Sequence, residues 1–317
     1  MSLTTGPQQR ESVLAYLRTS SNWGRWGDDD EYGAPNLITP EKIVQASRTV
    51  RDGKCISLSR DFPTKPSRAN RHPAQHVVMD RLARGTGGTV LDYLGISCHG
   101  ITSTHIDALC HVWDVDGMWG GRRPEDYIRY DGVRWASIHN WRDGLLTRGV
   151  LFDVPAYRGV EFVDIDAPVT GAELHSIAKS HNLSVEPGDA LVIYSGREKW
   201  SLQYGEYGSA NAENASGLTS TTDPRPGLDV SCLEYLRETD CAVLAWDMVD
   251  LKPNPDNLAW AVHAAIWAFG IALIDNALLE PLADYCAAHD RVDFLLSVAP
   301  LRIDGGTGSP VNPIAIL

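Results

Sequence analysis

The chain has 317 residues, 43% hydrophobic and 22% charged, with 41 Asp and Glu against 28 Lys and Arg for a formal net charge of −13. That balance excludes a general nucleic-acid binder, which needs a basic stripe. A chain of this length buries roughly 75% of its unfolded surface on folding and needs no disulfides to do so. Its six cysteines (Cys55, Cys98, Cys110, Cys232, Cys241 and Cys286) are scattered with no C-x-x-C pair, the usage of a reducing compartment. No apolar run reaches the ~18 residues of a membrane span, and the N-terminus shows no apolar signal segment. The expectation is a cytoplasmic protein with neither membrane nor nucleic-acid partners, acting on a small molecule.

In chain order, residues 1–35 are polar and rich in Trp, Gly and Asp. Thr39-Pro40-Glu41 opens a helix, with Thr39 as N-cap, Pro40 at the first helical position and Glu41 in the acid-favouring first turn. Ile43, Val44, Ser47 and Val50 supply its buried face, and Gly53 ends it. Cys55–Leu58 begins a strand. Residues 60–90, rich in Arg, His and Gly, read as a long loop excursion, and Leu91–His99 has strand character. From Gly149 the chain alternates cleanly. Strands are expected at 150–154, 190–194, 241–246, 271–274 and 292–298. Helices are expected after the capping box Thr170-Gly171-Ala172-Glu173, at 230–238, at 259–269 and around Leu278–Cys286. Strands alternating with helices mean an α/β architecture with a substantial sheet. Residues 201–228 are rich in Gly, Ser, Asn and Thr, and a loop that long is usually functional or disordered; a lid is expected there. The whole of 1–317 is expected to be one domain, with 1–50 as an N-terminal arm and helix.

Ten histidines are present, and His99, His105 and His111 fall with Asp107 inside thirteen residues. His105 and Asp107 are two apart, so on a strand both point to one face. An imidazole and a carboxylate so placed make a half-site for Zn, Mn or Fe; satisfied core histidines would look the same in sequence. A helical turn after Asp107 would bring His111 to the same side. Rival motifs are incomplete. Tyr194-Ser195-Gly196 lacks the first Gly of a nucleophile elbow, and Gly85-Thr86-Gly87-Gly88 lacks the Lys of a P-loop. Asp28-Asp29-Asp30-Glu31 reads as a solvated acidic turn, and Cys98 and Cys110 as small buried thiols. His72 and His76 fit either surface or substrate contact. Trp23, Trp26, Trp113 and Trp119 fit either an aromatic pocket or packing.

The run Thr104-His105-Ile106-Asp107-Ala108-Leu109-Cys110-His111 resembles the signature H-x-G-T-H-x-D-x-P-x-H of the cyclase family, which includes kynurenine formamidase, isatin hydrolase and trans-dienelactone hydrolase. Arg25-Trp26-Gly27 through Gly33 is similar to that family's R-W-G-x-x-D-E-x-G opening, and Asn36–Glu41, Arg148–Asp153 and Pro187–Ile193 are similar to further family blocks. The resemblance implies an α/β fold, a single swivelling β/β/α-type domain with long loop excursions, assembled as a homodimer or homotetramer. It implies His105 and Asp107 as metal ligands, with His111 as a second-metal ligand or proton-transfer group. His263 and Asp275 match a distal His/Glu pair near the metal, and the catalytic set is then His111, His263 and Asp275. Ile101 stands where the signature has its first ligand His, and His99, two residues earlier, is the candidate replacement. The function implied is a hydrolase using Mn or Zn to open or cleave a small lactam, lactone or formamide. The alternative, motivated by Ile101, is a metal-poor lyase or cyclase using the His cluster for acid/base chemistry.

Overall fold

The apolar runs after Gly149 become the centre of the molecule because a strand buried on both faces has no place for polar side chains. The computed structural model describes residues 10–83, 85, 87–208, 224–255 and 258–317. Near the start lie β1 (Cys55–Ser57), the long hairpin β2 (Gln75–Ala83) and β3 (Gly87–Gly95), β4 (His105–Asp107), and the short hairpin β5 (Ile128–Arg129) and β6 (Gly132–Val133). The second part supplies β7 (Leu145–Asp153), β8 (Ala190–Tyr194), β9 (Val243–Trp246), β10 (Ala272–Asp275) and β11 (Asp293–Val298). Two C-terminal strands, β12 (Gly308–Pro310) and β13 (Ile314–Ile316), complete the set.

Nine of these form one mixed sheet in the order β1-β13-β11-β7-β8-β9-β10-β4-β12. The pairs β7–β8, β8–β9 and β9–β10 are parallel, and the flanking pairs are antiparallel. All five residues of β8 are buried, whereas β11 alternates buried and half-buried positions as a strand covered on one face should. The α/β alternation read from the sequence is therefore present. What it missed is β2 and the start of β3 inside the supposed loop of 60–90 (the rest of β3 falls in the strand expected from Leu91), the short β5 and β6, and β12 and β13. Each of the last two is only three residues long, too short for a period-2 pattern to show. Within the expected lid of 201–228, residues 201–204 close the helix Arg197–Tyr204. Arg225 and Leu228 make bridges to Lys252, Val169 and Asp250. Residues 209–223 lie outside the described residues. No helix among the described residues is long and apolar enough to cross a membrane.

The caps follow the sequence, but one helix is turned differently. Thr39 accepts from the Lys42 amide at 3.2 Å and Pro40 starts the helix Pro40–Ser47. Thr170 caps the helix Gly171–Ser180 through the Glu173 amide, while the Glu173 carboxylate leaves the box to pair with Arg158 at 2.6 Å. The face expected to be buried on the helix Pro40–Ser47 is not the one used: Val44 is 55% exposed, and Lys42 and Ala46 face inward. The cause is Asp189, just before β8 and fully buried. Its carboxylate lies 2.6 Å from Lys42 Nζ and 2.5 Å from Arg148 Nη2, and accepts the Glu186 amide at 2.8 Å. A buried charge must be paired, and this requirement outweighs the apolar preference of the helix. Replacing Asp189 with Ala would strand two cations. Denaturant titration should show a loss of about 3–5 kcal/mol; a loss below ~1 kcal/mol would mean that both cations find water.

Candidate metal centre

The segment that carries the site is a three-residue strand held on both sides. β4 pairs with β10, placing Asp275 opposite His105, and with β12, placing Gly308 opposite Asp107. Residues directly opposite share a face, so His105, Asp107 and Asp275 converge. His105 Nε2 lies 3.4 Å from Asp107 Oδ1 and 3.9 Å from Asp275 Oδ2. The chain turns after Asp107, with the His111 amide donating to the Ala108 carbonyl. That turn returns His111 Nε2 to within 3.8 Å of Asp107 Oδ1. His263, immediately before the helix Ala264–Phe269, brings Nε2 to 3.3 Å from Asp275 Oδ2.

His99 reaches the same place. Its Nδ1 is 2.9 Å from Asp107 Oδ1, its ring stacks on His111 at 3.8 Å and 4°, and its Nε2 meets Thr307 Oγ1 at 2.9 Å. Gly308 makes room for it: a Cβ there would lie 2.6 Å from His99 Cε1 and 2.7 Å from the Ile106 carbonyl. Ile101 turns the other way, its side chain against Gly208. Of the six residues singled out in sequence, His99, His105, His111 and Asp275 thus gather around the Asp107 carboxylate, and His263 joins through Asp275. Cys98 and Cys110 join neither group of donor atoms close enough to hold an ion among the described residues. His76 pairs instead with Asp92 on the hairpin.

Asp107 decides what the cluster can hold. It is fully buried, and neither of its oxygens has a hydrogen-bond partner among the described residues; His99 Nδ1 is likewise unpartnered. The 2.9 Å approach of His99 to Asp107 is close without the alignment of a hydrogen bond. A buried carboxylate left this way is costly unless a cation meets it. Two donor sets share it, His99/Asp107/His111 and His105/Asp107/Asp275, with the donor atoms of each set within 4.8 Å of one another. Imidazole with carboxylate suits Zn or Mn. The far side of the site is built for ligation as well. His105 Nδ1 donates to the Ser103 carbonyl at 2.9 Å, which leaves Nε2 facing the cluster.

The electrostatics separate the imidazoles. Burial pulls His105 down, but the Asp107 charge, with help from Asp275, outweighs it and raises the group to about 9. Burial drives His111 down to about 4 in spite of Asp107. Burial also opposes charge on His263, yet Asp250 and Asp275 hold it well above its ordinary value. Asp107 is held well below the carboxylate range, because His111 and His105 overcome its burial.

Sequence reasoning missed Asp250, which lies 2.7 Å from His263 Nδ1 and accepts the Val262 amide at 2.8 Å. It missed Gly308 too. Neither has a local signal: Asp250 is thirteen residues from its histidine, and a glycine needed for close approach looks like any loop glycine. The tryptophans divide. Trp260, also unremarked in sequence, is part-exposed 6.4 Å from the His111 ring and 5.7 Å from that of His263. Trp113 is exposed. Trp23 and Trp119 are spent on packing, donating to the carbonyls of Trp267 and Asp30, and Trp26 stacks near Trp119. The acidic turn is only partly solvated. The Asp30 carboxylate accepts the Gly33 amide, and Glu31 accepts the Ala136 amide. Gly33 is pressed against Gly270 at the end of the His263 helix. The opening segment is a brace for that helix.

Comparison with known proteins agrees with the sequence motifs. The Cyclase family model, described as "Putative cyclase", matches residues 21–253. A crystal structure of a novel cyclase shares 30% identity and a TM-score of 0.79, over 95% of this chain and 99% of the other. An isatin hydrolase bound to the product analogue thioisatinate shares 16% identity and a TM-score of 0.54, over 87% of this chain and 95% of that one. Isatin hydrolase A from Ralstonia solanacearum shares 18% at a TM-score of 0.50, over 83% and 91%. At such identities the last two likenesses concern the fold alone. No curated protein matches the chain.

The His105 shift gives a pH test of ligation. An imidazole must be neutral to bind a metal, and metal-free His105 keeps its proton up to about 9. Apparent metal affinity should therefore rise about tenfold per unit between roughly pH 7 and 9, with one proton released per ion, and level off above that range. Calorimetry in buffers of different ionisation enthalpy reads both quantities. An affinity independent of pH over that range would remove His105 from the ligand set.

Proposed function

The chain belongs to the cyclase family and has its α/β fold, and from that premise we propose that it is a metal-dependent hydrolase opening or cleaving a small lactam, lactone or formamide. The carrying observation is Asp107, a fully buried carboxylate with two unpartnered oxygens among histidines. It favours the hydrolase over a metal-free lyase or cyclase, in which protonated His105 would balance the charge but both carboxylate oxygens would stay without a hydrogen bond. The ion, Mn or Zn, would be held by His99, His105 and Asp107. Bound there, it would polarise a carbonyl and make water a nucleophile near neutral pH, lowering its pKa to about 7.

The remaining groups divide the proton work. Pairs of titratable groups pushed apart by their surroundings mark acid and base. His111, kept neutral by burial, takes the proton from attacking water. His263, held protonated between Asp250 and Asp275, gives its proton to the departing amine or alkoxide. Asp250 fixes the ring by accepting from Nδ1, so the proton to be given sits on Nε2, the atom facing the site. Asp275 orients His263 and, with His105 and Asp107, offers a second set of donor atoms. Trp260, part-exposed 6.4 Å from the His111 ring and 5.7 Å from that of His263, would offer its face to a small planar substrate.

Asp107→Asn tests this reading because it keeps shape and removes charge. Elemental analysis should find metal falling from near stoichiometric to near zero. Hydrolysis of any substrate found in a panel of lactams, lactones and N-formyl amines should fall by about 10³-fold or more, a loss of at least roughly 4 kcal/mol in the barrier. The metal-free variant should still fold, with near-UV circular dichroism matching that of metal-free wild type. Turnover retained in Asp107→Asn would end the metal-dependent mechanism.

A further inference from the structure

Between β3 and β4 the chain makes a passage that its own backbone does not hold. Residues 97–103 form no backbone–backbone hydrogen bond with any other described residue. Gly100, next to His99, has φ 132°, a conformation in which a residue without a Cβ is free to swing. Yet this passage carries His99, whose ring is stacked on His111 at 3.8 Å and 4°. Asn276 supplies the missing hold. It directly follows Asp275 at the end of β10, is fully buried, and has a left-handed backbone (φ 56°), which asparagine tolerates better than most residues with a Cβ. Its side-chain nitrogen donates to the Gly100 carbonyl at 2.7 Å and to the Ser103 carbonyl at 3.2 Å. Its side-chain oxygen accepts from Arg197 Nη1 at 2.6 Å, and its own carbonyl accepts from Arg60 Nε at 2.9 Å and Thr104 Oγ1 at 2.8 Å. Arg197, itself buried, completes the clamp. Its Nη2 donates to the Ile101 carbonyl, and its Nη1 donates also to the Asp247 carbonyl at 3.0 Å. The Asp247 carboxylate, just beyond β9, gathers the amides of Ser195, Gly196 and Arg197 at 2.8, 3.0 and 3.1 Å. The ends of the parallel strands β8, β9 and β10 together grip the carbonyls of Gly100, Ile101 and Ser103.

We propose that Asn276 and Arg197 are positioning residues that set His99 against Asp107 and His111, so that His99 fills the place Ile101 leaves open. The consequence for metal binding rests on the metal-dependent reading above; the positioning itself belongs to the metal-free protein. An Ile side chain offers a metal nothing, so an imidazole two residues earlier has to be carried to the carboxylate. The clamp does this from the far side of the chain. The Ile101 side chain is turned away, so close to Gly208 that a Cβ there would fall 1.9 Å from Ile101 Cδ1. With Ile101 so turned, its carbonyl faces the Arg197 guanidinium, whose planar fork reaches the carbonyls of Ile101 and Asp247 and the Asn276 side chain at once. The Gly100 carbonyl, held by Asn276, removes the freedom of the glycine beside His99. On the other side of the ring, His99 Nε2 meets Thr307 Oγ1 at 2.9 Å. Outer partners that orient a metal ligand typically contribute about 10–100-fold to affinity.

Asn276→Gly is the test, because glycine keeps the left-handed backbone and removes only the side chain of the clamp. In the metal-free full chain with isotope-labelled histidine, nuclear Overhauser contacts between the His99 and His111 rings should be present in wild type and lost in the variant. Calorimetric titration with Zn or Mn alone should show the variant binding about tenfold more weakly or worse. In a His99→Ala background the same substitution should cost less than about threefold, because two changes that act through one residue do not add. A general loosening of the fold would instead weaken binding by the same factor in both backgrounds, and that result overturns the proposal. So does a variant whose two rings stay in contact. A wild type that binds neither Zn nor Mn would end the metal-dependent reading alone, since the ring contact in the metal-free protein still decides whether the clamp sets His99. Should Asn276→Gly fail to fold, Arg197→Lys, which keeps the charge and loses the planar fork, is put through the same measurements with the same outcomes expected.

Discussion

A carboxylate taken out of water without hydrogen bonds is among the most costly groups a fold can contain. Asp107 is such a group, and the structure is arranged around it. Its strand is three residues long yet paired on both edges, by β10 and by β12. The first edge delivers Asp275 to the face of His105, and the second supplies the glycine that lets His99 approach. His111 returns on a turn of four residues. Their convergence, with both oxygens left open, is the physical basis for reading a cation site.

The supports of this arrangement are polar as well. The opening segment uses the Asp30 and Glu31 carboxylates to fix its own loop and the residues near Ala136, and presses Gly33 against the end of the His263 helix. Asp189 draws Lys42 and Arg148 inward at the start of β8. Buried ion pairs of this kind add little net stability but penalise other arrangements heavily. They set where the helix Pro40–Ser47 and the opening segment sit, and so how firmly the His263 side of the site is held.

Much of this was legible in the sequence, for reasons that can be named. Thr39 and Thr170 cap helices because a side-chain oxygen before an amphipathic run has one good use. The central strands show as apolar runs because both their faces are covered. His105 and Asp107 show as a pair because a two-residue spacing on a strand puts both on one face, and the resemblance to the family signature singles them out. What stayed hidden depends on partners far along the chain. Lys42 faces inward only because Asp189 is there, and Asp250 matters only once His263 is folded beside it. β2 and the start of β3 were read as loop because exposed, mixed alternation carries no clear period, and β12 and β13 were too short to show one.

The central claim is that Asp107 exists to meet a cation. The most direct measurement is anomalous diffraction from crystals of the protein grown with Mn or Zn, collected on both sides of the metal edge. The account predicts a peak within bonding distance of an Asp107 oxygen and of His105 Nε2, with His99 Nδ1 as a further ligand. Crystals with no such peak, in which ordered water donates to both Asp107 oxygens, would contradict it.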